Sequence, residues 1–244
     1  MRQGPTCGWV ELRLQLRHKQ LANTSARAVL AMAATVSLLA VSGCLGWERA
    51  ETHLRYKLTA TVESAGQSIT ASAVQEMRVI GVITPFSNQR GISTDVIGQA
   101  ISVEIPNVGT LYLLMASRSG DRTGISPQYL QACGLYPQDA KTPIEQVSDI
   151  AAFRGSCDVP RRLFPMMVTV GDPTTGADIV DRSDEAVQWR VTSLRLEVTD
   201  EPILFGLEQR FPWLYKSGPP IPVTEPHGYG YLSGSEFSHR EYLQ

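Results

Sequence analysis

His53 to Glu63 reads HLRYKLTATVE, and its alternation decides the fold. Leu54, Tyr56, Leu58, Ala60 and Val62 are apolar, and the residues between them are polar or small. That period of two is the signature of a strand with one face on a core and one in water. Ser64-Ala65-Gly66-Gln67 supplies turn residues. Ser68 to Ile80 resumes the alternation with Ile69, Ala71, Ala73, Met77 and Val79. The two runs predict a β-hairpin.

Working outward, Pro85 to Gly91 reads as a polar loop and Ser93 to Ile105 as a further strand. Pro106-Asn107-Val108-Gly109 is a strong turn signal. Thr110 to Met115, TLYLLM, is uniformly apolar and suits a central strand. Then the pattern changes. Ser126-Pro127 opens a short helix to about Ala132. Thr142-Pro143-Ile144-Glu145 has the form of a capping box with proline in the first turn. Ile144, Val147, Ile150 and Ala151 follow it at helical spacing. Strands return at Leu163 to Val170, Ala177 to Asp181 and Trp189 to Thr199, the last with Val191, Leu194, Leu196 and Val198 facing inward. Asp200-Glu201-Pro202 ends it, because proline donates no ladder hydrogen bond. The predicted class is mainly β, or α+β: an antiparallel sheet with a small helical insertion.

Composition agrees with a packed domain, at 43% hydrophobic and 19% charged residues. The first 43 residues carry Arg2, Arg13, Arg17, Lys19 and Arg27 against Glu11, so the net charge of −2 leaves the remainder at −6. An acidic body argues against nucleic acid as a partner, since phosphate binding needs a basic face.

Ala28 to Val41 is AVLAMAATVSLLAV, fourteen residues without a charge. A permanent span needs about 20. A basic stretch, a short apolar run and then the small residues Ser42 and Gly43 is the layout of an export signal. Val41-Ser42-Gly43-Cys44 resembles the lipobox of bacterial lipoprotein precursors. The resemblance implies cleavage before Cys44 and lipid attachment to its thiol, with membrane anchoring through the acyl chains. The other readings are an uncleaved anchor helix and an ordinary signal peptide with a chance cysteine. Residues 1–26 form a longer leader than such a signal requires. Leu45 lies where some bacteria place an aspartate for inner-membrane retention, so the resemblance tilts toward the outer membrane, with the body facing the periplasm of the cell envelope.

The predicted organisation is a signal segment over 1–43, a tether over 44–52, a β-rich domain over 53–214 and a flexible Pro/Gly-rich tail over 215–244. Cys7 leaves with the leader. Cys133 and Cys157 remain as an even pair in an oxidising compartment, the disulfide candidate. A metal pair is the alternative, but the spacing lacks CxxC and no histidine lies between residues 54 and 226. The bridge is expected to tie the two short helices together.

Tyr56 to Glu63 and Leu194 to Leu214 resemble a group of small uncharacterised envelope proteins of Gram-negative bacteria. That resemblance implies a compartment and a β-rich domain, and no chemistry. Phe211-Pro212-Trp213-Leu214 is a compact apolar plug. It packs as core or serves as an exposed patch, and Phe211, Trp213 and Leu214 are the interaction candidates, because Trp and Phe dominate interface energetics. The tail aromatics Tyr229, Tyr231, Phe237 and Tyr242 could dock on a partner or on the domain.

No catalytic constellation is visible. His53, His227 and His239 are the histidines after Cys44, and two of them fall in the tail. There is no Gly-x-Ser-x-Gly elbow, phosphate loop or dinucleotide turn. Asp172, Asp178 and Asp181 gather carboxylates around Gly176, but their spacing is a turn rather than a calcium loop. Arg161-Arg162 and Asp200-Glu201 read as solvated charge. No cofactor or metal ligand set is assigned. The sequence points to a lipid-anchored binding or structural module with an envelope protein partner. The alternatives are a hydrolase whose site is assembled from distant residues, and a carrier for an apolar ligand.

Overall fold

A computed structural model describes residues 48–84, 90–118, 124–183, 189–214, 221–224 and 231–240. The signal segment and residues 44–47 of the predicted tether, Cys44 among them, lie outside the described residues. Of the tether, 48–52 already belongs to the first strand, because its residues pair along the hairpin.

The hairpin leads the architecture. β1 (Glu48–Ser64) and β2 (Gln67–Ile83) pair antiparallel over their whole length. The turn residues Ala65 and Gly66 both have positive φ, 47° and 77°, the two-residue turn whose twist matches the strands it joins. Leu54, Tyr56, Leu58, Ala60 and Val62 are all buried. Each such aliphatic side chain contributes about 1.5–3 kcal/mol on leaving water.

β3 (Arg90–Gln99) flanks β2, and β9 (Trp189–Val198) flanks β1. With β6 (Ser156–Asp158) and β12 (Ser238–His239) they make a six-stranded antiparallel sheet in the order β12-β3-β2-β1-β9-β6. The predicted inward set of β9 holds for Val191, Leu194 and Leu196. The three-residue step from Val191 to Leu194 breaks strict alternation, and the register against β1 shifts between Thr61 and Val62. A β-bulge absorbs the extra residue.

Ser93 to Ile105 is not one strand. The chain leaves the first sheet after Gln99 and continues as β4 (Ile101–Ile105) in a second sheet. Gln75, buried on β2, fixes this crossing: its Oε1 accepts from the Tyr56 hydroxyl at 3.1 Å and its Nε2 donates to the Gln99 carbonyl at 2.9 Å. The second sheet adds β5 (Gly109–Leu113), β7 (Met167–Asp172), β8 (Ala177–Asp181), β10 (Ile221–Thr224) and β11 (Tyr231–Leu232), in the order β11-β10-β8-β7-β5-β4. β10 runs parallel to β8, so this sheet is mixed. Leu163 lies in a 3-10 turn rather than on β7.

β5 explains the layering. Leu111, Leu113 and Met115 join the inward row of the first sheet in one core cluster. Tyr112, Leu114 and Ala116 point the other way, into a second cluster with Phe211, Leu214, Val223, Leu232 and Phe237. The second sheet is therefore apolar on both faces, as a strand reading TLYLLM requires.

This corrects the flexible tail. Within 215–244, the described residues form β10, β11 and β12, and Val223, Leu232 and Phe237 are buried. Backbone hydrogen bonds from Ala100 to the Phe237 carbonyl and from Met115 to the Glu236 carbonyl join this segment to both sheets. Isolated apolar residues among prolines and glycines form no regular pattern, yet Val223, Leu232 and Phe237 all join the core cluster on the second sheet. Tyr229 and Tyr242 lie outside the described residues, as does the side chain of Tyr231.

Two helices complete the insertion. α1 (Ile125–Ala132) is followed by α2 (Pro143–Ala152). Gly124, not Ser126, occupies the N-cap of α1. On α2, Pro143, Gln146, Val147 and Ile150 are the buried residues, so Ala151 lies outside the packed face.

Candidate functional site

The insertion builds an open cleft of about 470 Å³ on the first sheet. Its walls are the α1–α2 connection, Tyr136 to Thr142, and the first turn of α2 with Pro143 and Gln146; Gly91 and Ile92 of β3 complete it. Its volume falls in the range of about 300–1,000 Å³ typical of small-molecule sites.

Each wall has a local cause. α1 ends in a Schellman motif: the Gly134 N–H donates to the Gln131 carbonyl and the Leu135 N–H to that of Leu130. Leu135 is buried, which anchors the start of the connection. The Gln138 Nε2 donates back to the Gly134 carbonyl at 3.1 Å, and the Lys141 N–H to the Gln138 carbonyl at 2.9 Å. The predicted capping box then starts α2. The Thr142 hydroxyl accepts from the Glu145 N–H, and Glu145 accepts from the Thr142 N–H at 2.7 Å and its hydroxyl at 2.9 Å. Those bonds, the Thr142 N–H first, hold the Glu145 carboxyl below its ordinary range.

Gly81 seats the helix against the sheet. A Cβ there would come 2.6 Å from the Pro143 carbonyl oxygen, so only glycine admits so close an approach. Gly81 pairs with Ile92, which brings the cleft's β3 wall beside the helix start.

Cys133 and Cys157 are disulfide-bonded, with Cα atoms 5.2 Å apart. Cys133 caps α1, but Cys157 lies on β6 rather than on α2. The bridge thus ties α1 to the edge of the first sheet. The loop it closes contains Tyr136 to Gln146, nearly the whole cleft wall.

The polar groups of the cleft are specific. Gln146 is 8% exposed. Its Nε2 donates to the Lys141 carbonyl at 3.1 Å and the Gln138 carbonyl at 3.4 Å. Two carbonyls on that side fix the amide's orientation, since flipping it would set oxygen against oxygen. The Gln146 Oε1 is buried with no hydrogen-bond partner. Lys141 pairs with Asp149, and Asp139 is exposed on the rim.

The other sequence candidates resolve differently. Phe211 and Leu214 are core, at 0% and 5% exposure, which corrects their assignment as an interaction patch. Phe211 meets Tyr112, Trp213 and Phe237 at ring separations of 5.1, 5.4 and 5.6 Å. Trp213 is half-buried and donates from Nε1 to the Pro173 carbonyl at 2.9 Å. The plug covers the second face of the second sheet, because β5 would otherwise leave Tyr112 and Leu114 in water. Asp172 accepts from the Thr175 hydroxyl at 2.6 Å and the Thr174 N–H at 2.8 Å, bonds that lower its pKa within the β7–β8 turn. Glu201 pairs with Lys57 at 2.9 Å. Among the described residues, no three His, Cys, Asp or Glu side chains gather as a metal site, and no helix is long and apolar enough to cross a membrane.

Gln138, Gln146 and Tyr136 were not among the sequence candidates. A polar residue on the packed face of α2 was the available signal, visible once Val147 and Ile150 set that face. Comparison with protein-family models, characterised proteins and solved structures gave no match.

Proposed function

We propose that this chain is a lipid-anchored protein of the bacterial cell envelope, facing the periplasm, whose β domain is a binding module with the cleft as its binding site. The cleft carries this reading: about 470 Å³ of concave space, walled by a disulfide-closed loop and lined by both polar and apolar side chains. Small-molecule sites combine a preformed concavity with a few fixed polar groups. The disulfide fits an oxidising compartment.

Anchoring at Cys44 would set the geometry. β1 starts at Glu48, so the connecting chain reaches at most about 14 Å from the lipid thiol. Such a short tether would hold the domain at the membrane surface and orient it there. Phe211 and Leu214 of the plug and Val223, Leu232 and Phe237 of the C-terminal region are buried in the core, so the cleft is the surface proposed here for a partner or ligand. Among the described residues, no histidine, serine or cysteine lines it, and the Thr142 hydroxyl is engaged in the helix cap, which supports binding over hydrolysis. Its polar walls and open mouth suit an apolar-ligand carrier poorly.

Metabolic labelling with a tagged fatty acid tests the anchor. Label should enter the wild-type protein and be lost in Cys44→Ala, which should leave the membrane fraction. Unlabelled wild type, or persistent label in the variant, defeats the anchoring half of the proposal.

A further inference from the structure

We infer that the outer edge of β3 is a strand-docking surface whose occupant is this chain's own C-terminal segment, Arg240 to Gln244, which continues β12 along Ile97 to Ser93. The inference is independent of what the cleft binds. β3 pairs with β2 along one side, from Arg90 to Ile97. On its other side, among the described residues, β12 covers Gly98 and Gln99 alone. A strand edge left in this way presents a row of backbone N–H and C=O groups, which another extended chain matches one for one.

The register of β12 names the chain. Ser238 faces Gln99 and His239 faces Gly98. The Ala100 N–H donates to the Phe237 carbonyl at 2.7 Å, which is the same register one rung earlier. Continued without a slip, it sets Arg240 opposite Ile97, Glu241 opposite Val96, Tyr242 opposite Asp95, Leu243 opposite Thr94 and Gln244 opposite Ser93. Backbone groups alternate sides along a strand, so those turned toward β12 at Ala100 and Gly98 recur at Val96 and Thr94. The Val96 N–H agrees: the Asp95 carboxylate accepts it at 2.9 Å, a side chain standing where a strand partner would. In the docked segment Glu241 and Leu243 exchange both backbone bonds with Val96 and Thr94.

Arg240 starts the segment in the right place. Its guanidinium lies 4.7 Å from the centroid of the Phe205 ring and pairs with Glu208. Between those two residues, the Gly206 and Leu207 N–H groups donate to the Gln99 side-chain oxygen at 2.9 and 3.4 Å. Gln99 thus ties the segment that holds Arg240 to β3 itself, and Glu241 follows from there. Gln244 falls one residue short of Ile92, so the docked segment runs up to the cleft's β3 wall.

Amide hydrogen exchange tests the inference, in the disulfide-intact full chain in detergent micelles and in a chain truncated after Arg240. The Thr94 N–H is the reporter, because Val96 has the Asp95 carboxylate in either case. The Ser93 and Asp95 N–H groups, turned toward β2, are the controls for an intact sheet. A segment docked about nine-tenths of the time slows exchange at Thr94 about tenfold, and truncation should remove that protection while the controls stay unchanged. Leu243→Pro should do the same within the full chain, because proline lacks the N–H that bonds the Thr94 carbonyl. That variant keeps the test valid if truncation disturbs the controls. Equal exchange at Thr94 in all three chains, at every protein concentration, overturns the inference. Protection that survives both changes and grows with concentration also overturns it, and gives the edge to a second copy.

Discussion

Replacing Phe211 with alanine separates a core plug from an interaction patch. Phe211 is fully buried, with three aromatic neighbours at ring separations of 5.1 to 5.6 Å. Phe-to-Ala changes in packed cores cost about 3–5 kcal/mol through lost transfer energy and the residual cavity. Edge-to-face contacts add about 0.5–1.5 kcal/mol to such a ring's area burial, which favours the upper half of that range. For a domain of this size each kcal/mol lowers the midpoint by about 2–4 °C, so a drop of roughly 10 °C or more is expected. Leu204→Ala is the internal control. It lies in the same segment but is 69% exposed, and a surface change of this kind falls within about 0.5 kcal/mol. Thermal unfolding of both variants, followed by circular dichroism, makes the comparison. A Phe211→Ala midpoint within about 3 °C of wild type would refute the packing argument, since a residue that covers a sheet face cannot be removed so cheaply.

Three further outcomes follow from local geometry. Ala65 holds φ 47° in the hairpin turn, a conformation that costs a Cβ-bearing residue about 1 kcal/mol and that asparagine tolerates better, so Ala65→Asn should raise the midpoint by a few degrees; an unchanged or lower midpoint counts against the turn assignment. Removing the Cys133–Cys157 bridge, by reduction or double Ser substitution, should cost about 3 kcal/mol for a closed loop of this length, measured as a fall in urea midpoint under matched conditions; equal midpoints would show that the bridge does not constrain the chain. Glu104 is held below its ordinary pKa by the Thr110 hydroxyl first and the Arg210 guanidinium second. A depressed carboxylate stabilises above its unfolded value and loses that contribution as pH falls through the folded one, so acidification below about pH 4 should loosen the Arg210 contact. Glu104 is 63% exposed, so screening keeps the effect under about 1 kcal/mol, and Glu104→Gln should flatten the acid limb of the stability curve; an identical limb removes Glu104 as its source.

The hairpin was legible because one face of β1 is buried and one is wet, so burial writes a period of two into the residues. The inward set of β9 was legible for the same reason at Val191, Leu194 and Leu196, but the bulge that their three-residue step implies emerged only from the pairing with β1. The crossing after Gln99 was hidden. Ser93 to Ile105 looks like one apolar/polar run, but its inward phase slips at the adjacent buried pair Ala100 and Ile101, which belong to different cores, and the Gln75 bond to the Gln99 carbonyl holds the chain at that point. The cleft was half legible. The capping box at Thr142 fixes where α2 begins, but the opposite wall is Gly91 and Ile92, roughly fifty residues earlier, and the pairing of Gly81 with Ile92 that brings it near is a tertiary fact.

The plug shows why composition could not choose between core and interface. Phe211, Trp213 and Leu214 are the residues either role would use, because both roles bury aromatic surface. What decides is whether some other surface in the same chain needs covering. TLYLLM held that answer. A strand apolar on both faces, with Leu111 and Leu113 toward one core and Tyr112 and Leu114 toward another, demands two covers. The first sheet and the helical insertion supply one. A polar, Pro/Gly-rich C-terminal region contains few other apolar residues to supply the second. The demand set by β5 therefore assigns Phe211, Val223, Leu232 and Phe237 to the domain itself, as the second cover that a strand apolar on both faces requires.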